Sequence, residues 1–149
     1  MNSKIHFSIL LLTLVAAIGC KKEEADPEAP IIAFLSMSAD SVEQFNNAVV
    51  IRFSYEDYQG DLGEPDADDF SLRIKDARIS EYDWYHIPPM TPELQELYIK
   101  GTYELTLDPL FLLSSGQIEN TNFTFQIRDR AGNWSNEIET SFIAIVDSL

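Results

Sequence analysis

Positive charge, histidine and cysteine are all scarce in this sequence. Its 149 residues contain 10 lysines and arginines against 25 acidic residues, with two histidines and one cysteine. Binding to phosphate groups requires clustered lysine and arginine, so this balance argues against nucleic acid or an anionic bilayer surface as a partner. A core disulfide and a histidine-rich zinc site are excluded by the counts alone.

Long apolar runs are also missing, with one short exception at the start of the chain. Lys4 is followed by twelve consecutive residues, Phe7 to Ile18, that carry no charge. This run is too short to span a bilayer but suits the core of a signal peptide. It ends in Ala17-Ile18-Gly19-Cys20, which resembles the cleavage site of bacterial lipoproteins. An ordinary secretory signal followed by an incidental cysteine is the alternative.

The lipoprotein resemblance implies how the mature chain is attached to a membrane. Residues 1–19 would be removed, and Cys20 would carry a diacylglyceryl group and an acylated amine. More than one acyl chain makes such an attachment stable, so the resemblance predicts a tethered protein that does not span the bilayer.

Residues 20–29 read as a flexible tether. The stretch after Cys20, KKEEADPEAP, has charges and prolines but no apolar periodicity. Ten fully extended residues reach roughly 33 Å. A lysine followed by paired acids directly after the cysteine resembles the surface-export signal of Bacteroidota lipoproteins, which implies a location on the outer face of the outer membrane. A simple solvated spacer is the alternative.

From residue 30 to residue 149 the sequence predicts an all-β domain. Its apolar residues alternate with polar ones in short runs that turn-forming residues separate. The predicted strands are Pro30 to Ser36, Ala48 to Tyr55, Phe70 to Lys75, Tyr103 to Leu107, Phe123 to Arg128 and Glu139 to Val146. A short helical turn is predicted at Leu110 to Ser114. Six or seven strands in about 120 residues favour a single immunoglobulin-like β-sandwich.

Three motifs give the domain a family resemblance. They are the strand and acidic loop IRFSYEDYQGDLG, the glycine-containing strand YIKGTYELTL and the closing turn DRAGNWSN. In this order they resemble uncharacterised Bacteroidota surface lipoproteins with an Ig-like or cadherin-like β-sandwich, whose acidic loops have the form D-G-D-G-D-[IL]-G. The resemblance implies a fold and a cellular location but no activity.

The acidic loop is the candidate metal site. From Glu56 to Asp69 the chain has seven acids and no base. In an Ig-like sandwich this loop and the last hairpin loop lie at the same end, which would bring Asp57 and Asp61 near Asp129 and Asn133. Carboxylates gathered in this way repel one another unless they are solvated, protonated or bridged by a cation, and calcium accepts such oxygen ligands. A solvated loop and a plain hairpin turn, neither binding an ion, are the alternatives.

A second stretch, Tyr82 to Met90, places three aromatic residues beside two prolines. Exposed aromatics could stack on sugars or anchor a protein partner. The favoured interpretation is an edge strand whose aromatics point into the core and whose prolines end it. The same two interpretations apply to Trp134.

The sequence predicts a non-catalytic binding or structural module with an unknown protein or glycan partner. It contains no serine-nucleophile elbow and no phosphate-cradling glycine loop, and only His86 remains once the signal is removed. The alternative is a glycan-hydrolysing accessory protein that uses two carboxylates, but 25 acids do not single out a pair.

Overall fold

A computed structural model describes residues 28–91 and 97–147 of the chain. The predicted signal peptide, Cys20 and all but the last two residues of the predicted tether therefore lie outside the described residues. The described part is all-β, with ten strands and no helix. The strands are β1 (Ile31–Met37), β2 (Ser41–Glu43), β3 (Val49–Asp57), β4 (Leu72–Asp76), β5 (Asp83–Tyr85), β6 (Ile99–Leu107), β7 (Ile118–Thr121), β8 (Phe123–Ile127), β9 (Ile138–Glu139) and β10 (Ile143–Val146).

The strands form three sheets. One has the order β1-β3-β6, a second has the order β5-β4-β8-β9, and a small third sheet has the order β2-β10-β7. All neighbours are antiparallel except β2 and β10, which are parallel. The arrangement is compatible with a β-sandwich, as the sequence predicts.

Period-two alternation builds the core. Ile51 and Phe53 on β3 are fully buried, and so are Ile74 on β4 and Phe125 on β8. The rings of Phe53 and Phe125 contact each other across the two larger sheets, with centroids 5.1 Å apart. Because successive side chains on a strand point to opposite faces, this packing turns every intervening residue outward.

The predicted helical turn at Leu110 to Ser114 is wrong: this segment is an irregular loop. The side chains of Glu119 and Arg78 form hydrogen bonds with backbone groups of this loop. Glu119 accepts hydrogen bonds from the amides of Leu113 and Ser114, at 3.0 Å and 2.7 Å. Arg78 donates to the carbonyl oxygen of Phe111, at 2.9 Å. These contacts take the place of the backbone hydrogen bonds that a helical turn would make.

The last predicted strand, Glu139 to Val146, is divided in two. Thr140 interrupts it: its amide donates to the carbonyl oxygen of Phe123 and its hydroxyl accepts from the Phe123 amide. Before this point β9 pairs with β8, and after it β10 pairs with β7 and β2. The final segment therefore contributes to two different sheets.

Glu119 also belongs to an ionic network. Arg78 donates to Glu119 at 2.7 Å and to Asp76 at 2.6 Å. Burial opposes ionisation of Asp76, but hydrogen bonds from Arg78 and Thr121 outweigh it and hold its pKa below the usual range. Hydrogen bonds from Ser114, Leu113 and Arg78 lower the pKa of Glu119 to about 2. The network ties β4 and β7 to the irregular loop.

The network should make stability depend on pH through Glu119. The carboxylate is ionised in the folded state down to about pH 2, whereas an unperturbed glutamate has a pKa of 4.5. The contribution of the ionised Glu119 to the free energy of unfolding is therefore complete above pH 4.5 and is lost as the pH falls towards 2. We expect Glu119→Gln to lower the melting temperature at neutral pH. The difference in melting temperature between the variant and the wild type should disappear as the pH falls from 4.5 to 2.

Thermal unfolding followed by circular dichroism at several pH values measures the gap. Glu137→Gln is the matched control, because it removes the same charge from an exposed loop. An equal loss of melting temperature in both variants, or a gap for Glu119→Gln that stays constant down to pH 2, would contradict the assignment.

Candidate functional site

The two loops predicted to share one end of the domain do meet. Leu62 and Asp129 form an isolated antiparallel bridge. The amides of Arg130 and Ala131 donate to the backbone carbonyl and to Oδ2 of Asp61, both at 3.1 Å. Together with Asp57 and Asn133, Asp61 and Asp129 form what we call the acidic pole. Asn133 Nδ2 also donates to the carbonyl oxygen of Glu28, at 3.0 Å, so the last residues of the predicted tether reach this pole.

Hydrogen-bond donors within the two loops hold the buried carboxylates of the acidic pole. Asp57 is fully buried and accepts hydrogen bonds from the amides of Gln59 and Asp61, at 3.2 Å and 2.9 Å. Asp129 is also buried, and it accepts from the amide and the side chain of Asn133, at 2.7 Å and 3.0 Å. Each carboxylate thus closes the tight turn that follows it, as aspartates commonly do. Gly60 helps the first turn because its φ of 67° suits a residue without a Cβ.

These hydrogen bonds do not remove all of the electrostatic cost. Burial raises the pKa of Asp57, the amides of Gln59 and Asp61 oppose that shift, and the charges of Asp61 and Asp129 add to it. A raised carboxyl pKa means that the protonated form is favoured in the folded state. The stability linked to Asp57 is therefore present at low pH and decreases as the pH rises through the folded-state pKa.

The acidic pole offers oxygen ligands that suit calcium. Carboxylate, amide and carbonyl oxygens are the groups this ion prefers. Asp61 Oδ1 is buried and has no hydrogen-bond partner, so one acceptor is available for an ion. Within the described ranges, however, no three His, Cys, Asp or Glu side chains form a group that could hold a metal. Calcium binding by Asp57, Asp61, Asp129 and Asn133 stays a prediction.

A second candidate site lies on the outer surface of the β5-β4-β8-β9 sheet. Alternation turns Arg73 and Lys75 of β4 away from the core, and the strand register places Arg73 opposite both Trp84 and Gln126. A bridge between Arg128 and Trp134 brings the hairpin loop onto the same surface. We define the aromatic–cationic face as Arg73, Lys75, Tyr82, Trp84, Arg128 and Trp134.

Arg73 is the centre of this face. Its guanidinium carbon lies 4.3 Å from the ring centroid of Trp134 and 4.9 Å from that of Tyr82. Gln126 Oε1 fixes the guanidinium by accepting hydrogen bonds from it at 2.6 Å and 3.3 Å. Trp84 meets Trp134 edge to face, with centroids 6.0 Å apart. Cation–π contacts like those of Arg73 are worth roughly 0.5–1 kcal/mol each at exposed sites, so they hold the rings in a defined arrangement.

Cations without an ion pair are concentrated on this face. The salt bridges among the described residues involve only Arg52 and Arg78 as cations. Lys75 lies 5.4 Å from the Tyr82 ring, and Arg128 lies 5.5 Å from the Trp134 ring. A protein of formal net charge −15 therefore presents three cations without an ion pair beside the half-buried rings of Tyr82 and Trp134.

The two interpretations of the Tyr82 to Met90 stretch each hold for part of it. Ile87 is buried, and Tyr85 and Met90 pack against the core. Trp84 instead points outward and is 45% exposed. Period two predicts that Trp84 and Tyr85 face opposite ways, but not which of them faces the core. The bridge between Trp134 and Arg128 places Trp134 beside Trp84.

His86 is the one histidine among the described residues. His86 is half-buried, and its Nδ1 lies 3.1 Å from the carbonyl oxygen of Asp69. Cys20, the predicted lipid-attachment residue, lies outside the described residues. The described residues also include no helix with the length and apolar character needed to cross a bilayer.

No protein-family model matches the sequence, and no curated protein or solved structure is significantly similar to it. The family resemblance of the three motifs therefore stays a prediction.

Calcium binding at the acidic pole can be tested by a substitution at Asp61, whose Oδ1 atom is the available acceptor. We expect millimolar Ca²⁺ to raise the melting temperature of the wild-type protein, because an ion at Asp61 Oδ1 would offset the repulsion between Asp61 and Asp57. Asp61→Asn should abolish this rise, while its remaining side-chain oxygen can still accept from the Ala131 amide.

Asp68→Asn is the matched control, since it removes one charge from an exposed position in the same loop. Its melting temperature should rise with Ca²⁺ as that of the wild type does. A wild-type melting temperature that does not change across millimolar Ca²⁺ would show that the protein's own hydrogen bonds hold the acids without an ion.

Proposed function

We propose that this protein is a lipoprotein anchored through Cys20 to the outer membrane, facing the cell exterior, and that its domain is a non-catalytic binding module. The cleavage-site motif and the lysine and paired acids after it support the location. The aromatic–cationic face is the observation that carries the binding role.

The strand order supports an immunoglobulin-like type of sandwich for the domain. Strands β1, β3 and β6 correspond in order to A, B and E of such a fold, and β5, β4, β8 and β9 correspond to C′, C, F and G. β2 continues the first strand and pairs with the last one in parallel. In such domains a sheet face or the end loops commonly carry the binding residues, and the aromatic–cationic face occupies the C′-C-F-G sheet.

The composition of this face favours a protein partner over a glycan. Tryptophan, tyrosine and arginine are the residues most enriched at energetic centres of protein interfaces. Arg73 is already held in place by Gln126 and two rings, so little side-chain entropy is lost on binding. Three unpaired cations call for acidic groups on the partner surface, where charge complementarity sets orientation.

A binding role also fits the acidic pole better than hydrolysis does. A glycosidase needs two carboxyl groups that reach the substrate. Asp57 and Asp129 are both buried, and each of their oxygens accepts a hydrogen bond from the turn that follows it. Their role in this proposal is to shape the loops, with calcium as a further stabiliser.

The anchor is tested by its chemistry and its topology. We expect the native protein to fractionate with the outer membrane, to carry fatty acyl groups on residue 20 by mass spectrometry, and to be cleaved by protease added to intact cells. Cys20→Ser should be released from the membrane because it has no thiol to modify. An unmodified Cys20 thiol in the native protein would refute the anchor.

The binding face is tested by chemical cross-linking on intact cells that carry wild-type or variant protein. Trp84→Ala and Arg73→Gln should each reduce capture of the same acidic surface protein, and with the purified partner each should weaken binding about tenfold. Phe142→Ala is the matched control, because it removes an aromatic side chain that is 68% exposed outside the face.

Two outcomes would contradict this assignment. Equal capture by wild type, Trp84→Ala and Phe142→Ala would remove the face from the binding role. Binding to a panel of purified glycans that Trp84→Ala abolishes would keep the face as the site but replace the protein partner by a glycan.

A further inference from the structure

The outer edge of β6 is open. β6 pairs with β3 on one side, and no described strand pairs with the other. It is nine residues long, whereas a typical strand has about five or six. Its sequence, IKGTYELTL, has no proline, and its register with β3 is unbroken from Val49 and Leu107 to Asp57 and Ile99. Of the usual protections of an edge, β6 lacks short length, prolines and bulges, and it carries only the charged side chains of Lys100 and Glu104.

The exposed side chains of β6 are self-complementary. Lys100, Thr102 and Glu104 all face outward and are exposed. When two copies of β6 run antiparallel about an axis at Thr102, Lys100 of each copy lies opposite Glu104 of the other, and Thr102 lies opposite itself. Moving the axis to the residue on either side of Thr102 places Lys100 opposite a threonine and loses both charge pairs. One register is therefore favoured.

The charge pattern extends across the neighbouring strands. Within one copy Lys100 lies opposite Glu56 of β3, and Glu104 lies opposite Arg52, with which it forms a salt bridge. In the paired arrangement, one row of side chains would cross the joined sheet from strand to strand. It would consist of Glu56 and Lys100 of the first copy, followed by Glu104 and Arg52 of the second copy. Signs alternate along this row and along its symmetry-related copy. Opposite charges that face each other across strands stabilise their pairing.

The inner face of β6 allows the same register. Gly101 would lie opposite Tyr103 of the second copy, so a residue without a side chain faces a large one. The space above Gly101 is already covered, because the Tyr55 hydroxyl lies 2.7 Å from where a Cβ would stand. Tyr103 packs against Phe53 of the same copy, with ring centroids 5.6 Å apart. This contact holds the Tyr103 ring against the core of its own domain.

We propose that the occupant of this edge is a second copy of the chain. Two β6 strands pair antiparallel about a two-fold axis at Thr102 and join two three-stranded sheets into one of six strands, in the order β1-β3-β6-β6-β3-β1. The interface is isologous, since the same residues of both copies contribute to it. It uses a different edge and sheet from the aromatic–cationic face, so it does not depend on the proposed function.

Charge reversal tests the register between chains. Lys100→Glu alone places glutamate opposite Glu104 twice, and Glu104→Lys alone places lysine opposite Lys100 twice. A one-to-one mixture of the two variants restores two opposite-charge pairs. We expect the dimer dissociation constant of each variant alone, measured by sedimentation equilibrium of the full chain, to be about tenfold higher than that of the wild type. The mixture should form as much dimer as the wild type does.

The mixture separates this interface from any effect on folding. Each reversal also brings like charges together within its own copy, at Glu56 or at Arg52, and mixing cannot repair that. Glu137→Lys is the matched control, because it changes net charge as Glu104→Lys does at an exposed site elsewhere; its dimer should match the wild type. A mixture with no more dimer than its components overturns the proposal, and so does a wild-type chain that stays monomeric at all concentrations.

Cross-linking tests the position of the axis. In this register the two Thr102 Cα atoms would lie about 4.5–5.5 Å apart, within the range that a disulfide spans. Under mild oxidation Thr102→Cys should form a disulfide between residues 102 of two copies, identified by peptide mapping. Thr106→Cys, on the same exposed row, should not, because it lies opposite residue 98. Equal yields from both variants, or linkage of Thr102→Cys to a different protein, would overturn the second copy as occupant.

Discussion

The contact between Phe53 and Phe125 fixes which face of each large sheet is buried. The two rings meet between β3 and β8, and both side chains are almost completely inaccessible to solvent. Because side chains alternate along a strand, burying these residues orients all the others. Arg73 and Lys75 point out of one sheet for this reason, and Lys100, Thr102 and Glu104 point out of the other. The candidate binding face and the exposed row of side chains on β6 both follow from this constraint.

Charge is handled in three different ways along the chain. At the acidic pole, donors from Gln59, Asp61 and Asn133 bind carboxylates that form no salt bridge with any cation of the described residues. At the other charged cluster Arg78 pairs with Asp76 and Glu119 and fixes an irregular loop. On the aromatic–cationic face, cations lie over rings. Neutralisation is thus local, and the large net charge of the chain does not describe any one of these surfaces.

The open edge and the aromatic–cationic face belong to opposite sheets, so one domain can use both. A two-fold contact through β6 would leave the two aromatic–cationic faces free and present them twice on one assembly. Two linked copies of a weak site bind a multivalent surface more tightly than one copy does. On a membrane, lipid anchors would raise the local concentration of the chain and favour such pairing.

The sequence by itself determined the all-β class, most of the strand positions and the faces of the strands, because these depend on local alternation of apolar and polar residues. It also predicted that the loops of Asp61 and Asp129 meet, from the connectivity of an Ig-like sandwich. It failed at Leu110 to Ser114 and at Thr140, where partners distant in sequence, Glu119, Arg78 and Phe123, bind the backbone. Only the tertiary structure decided which acids are buried, which of Trp84 and Tyr85 faces solvent and which edge stays unpaired, because each depends on register between strands that are far apart in the chain.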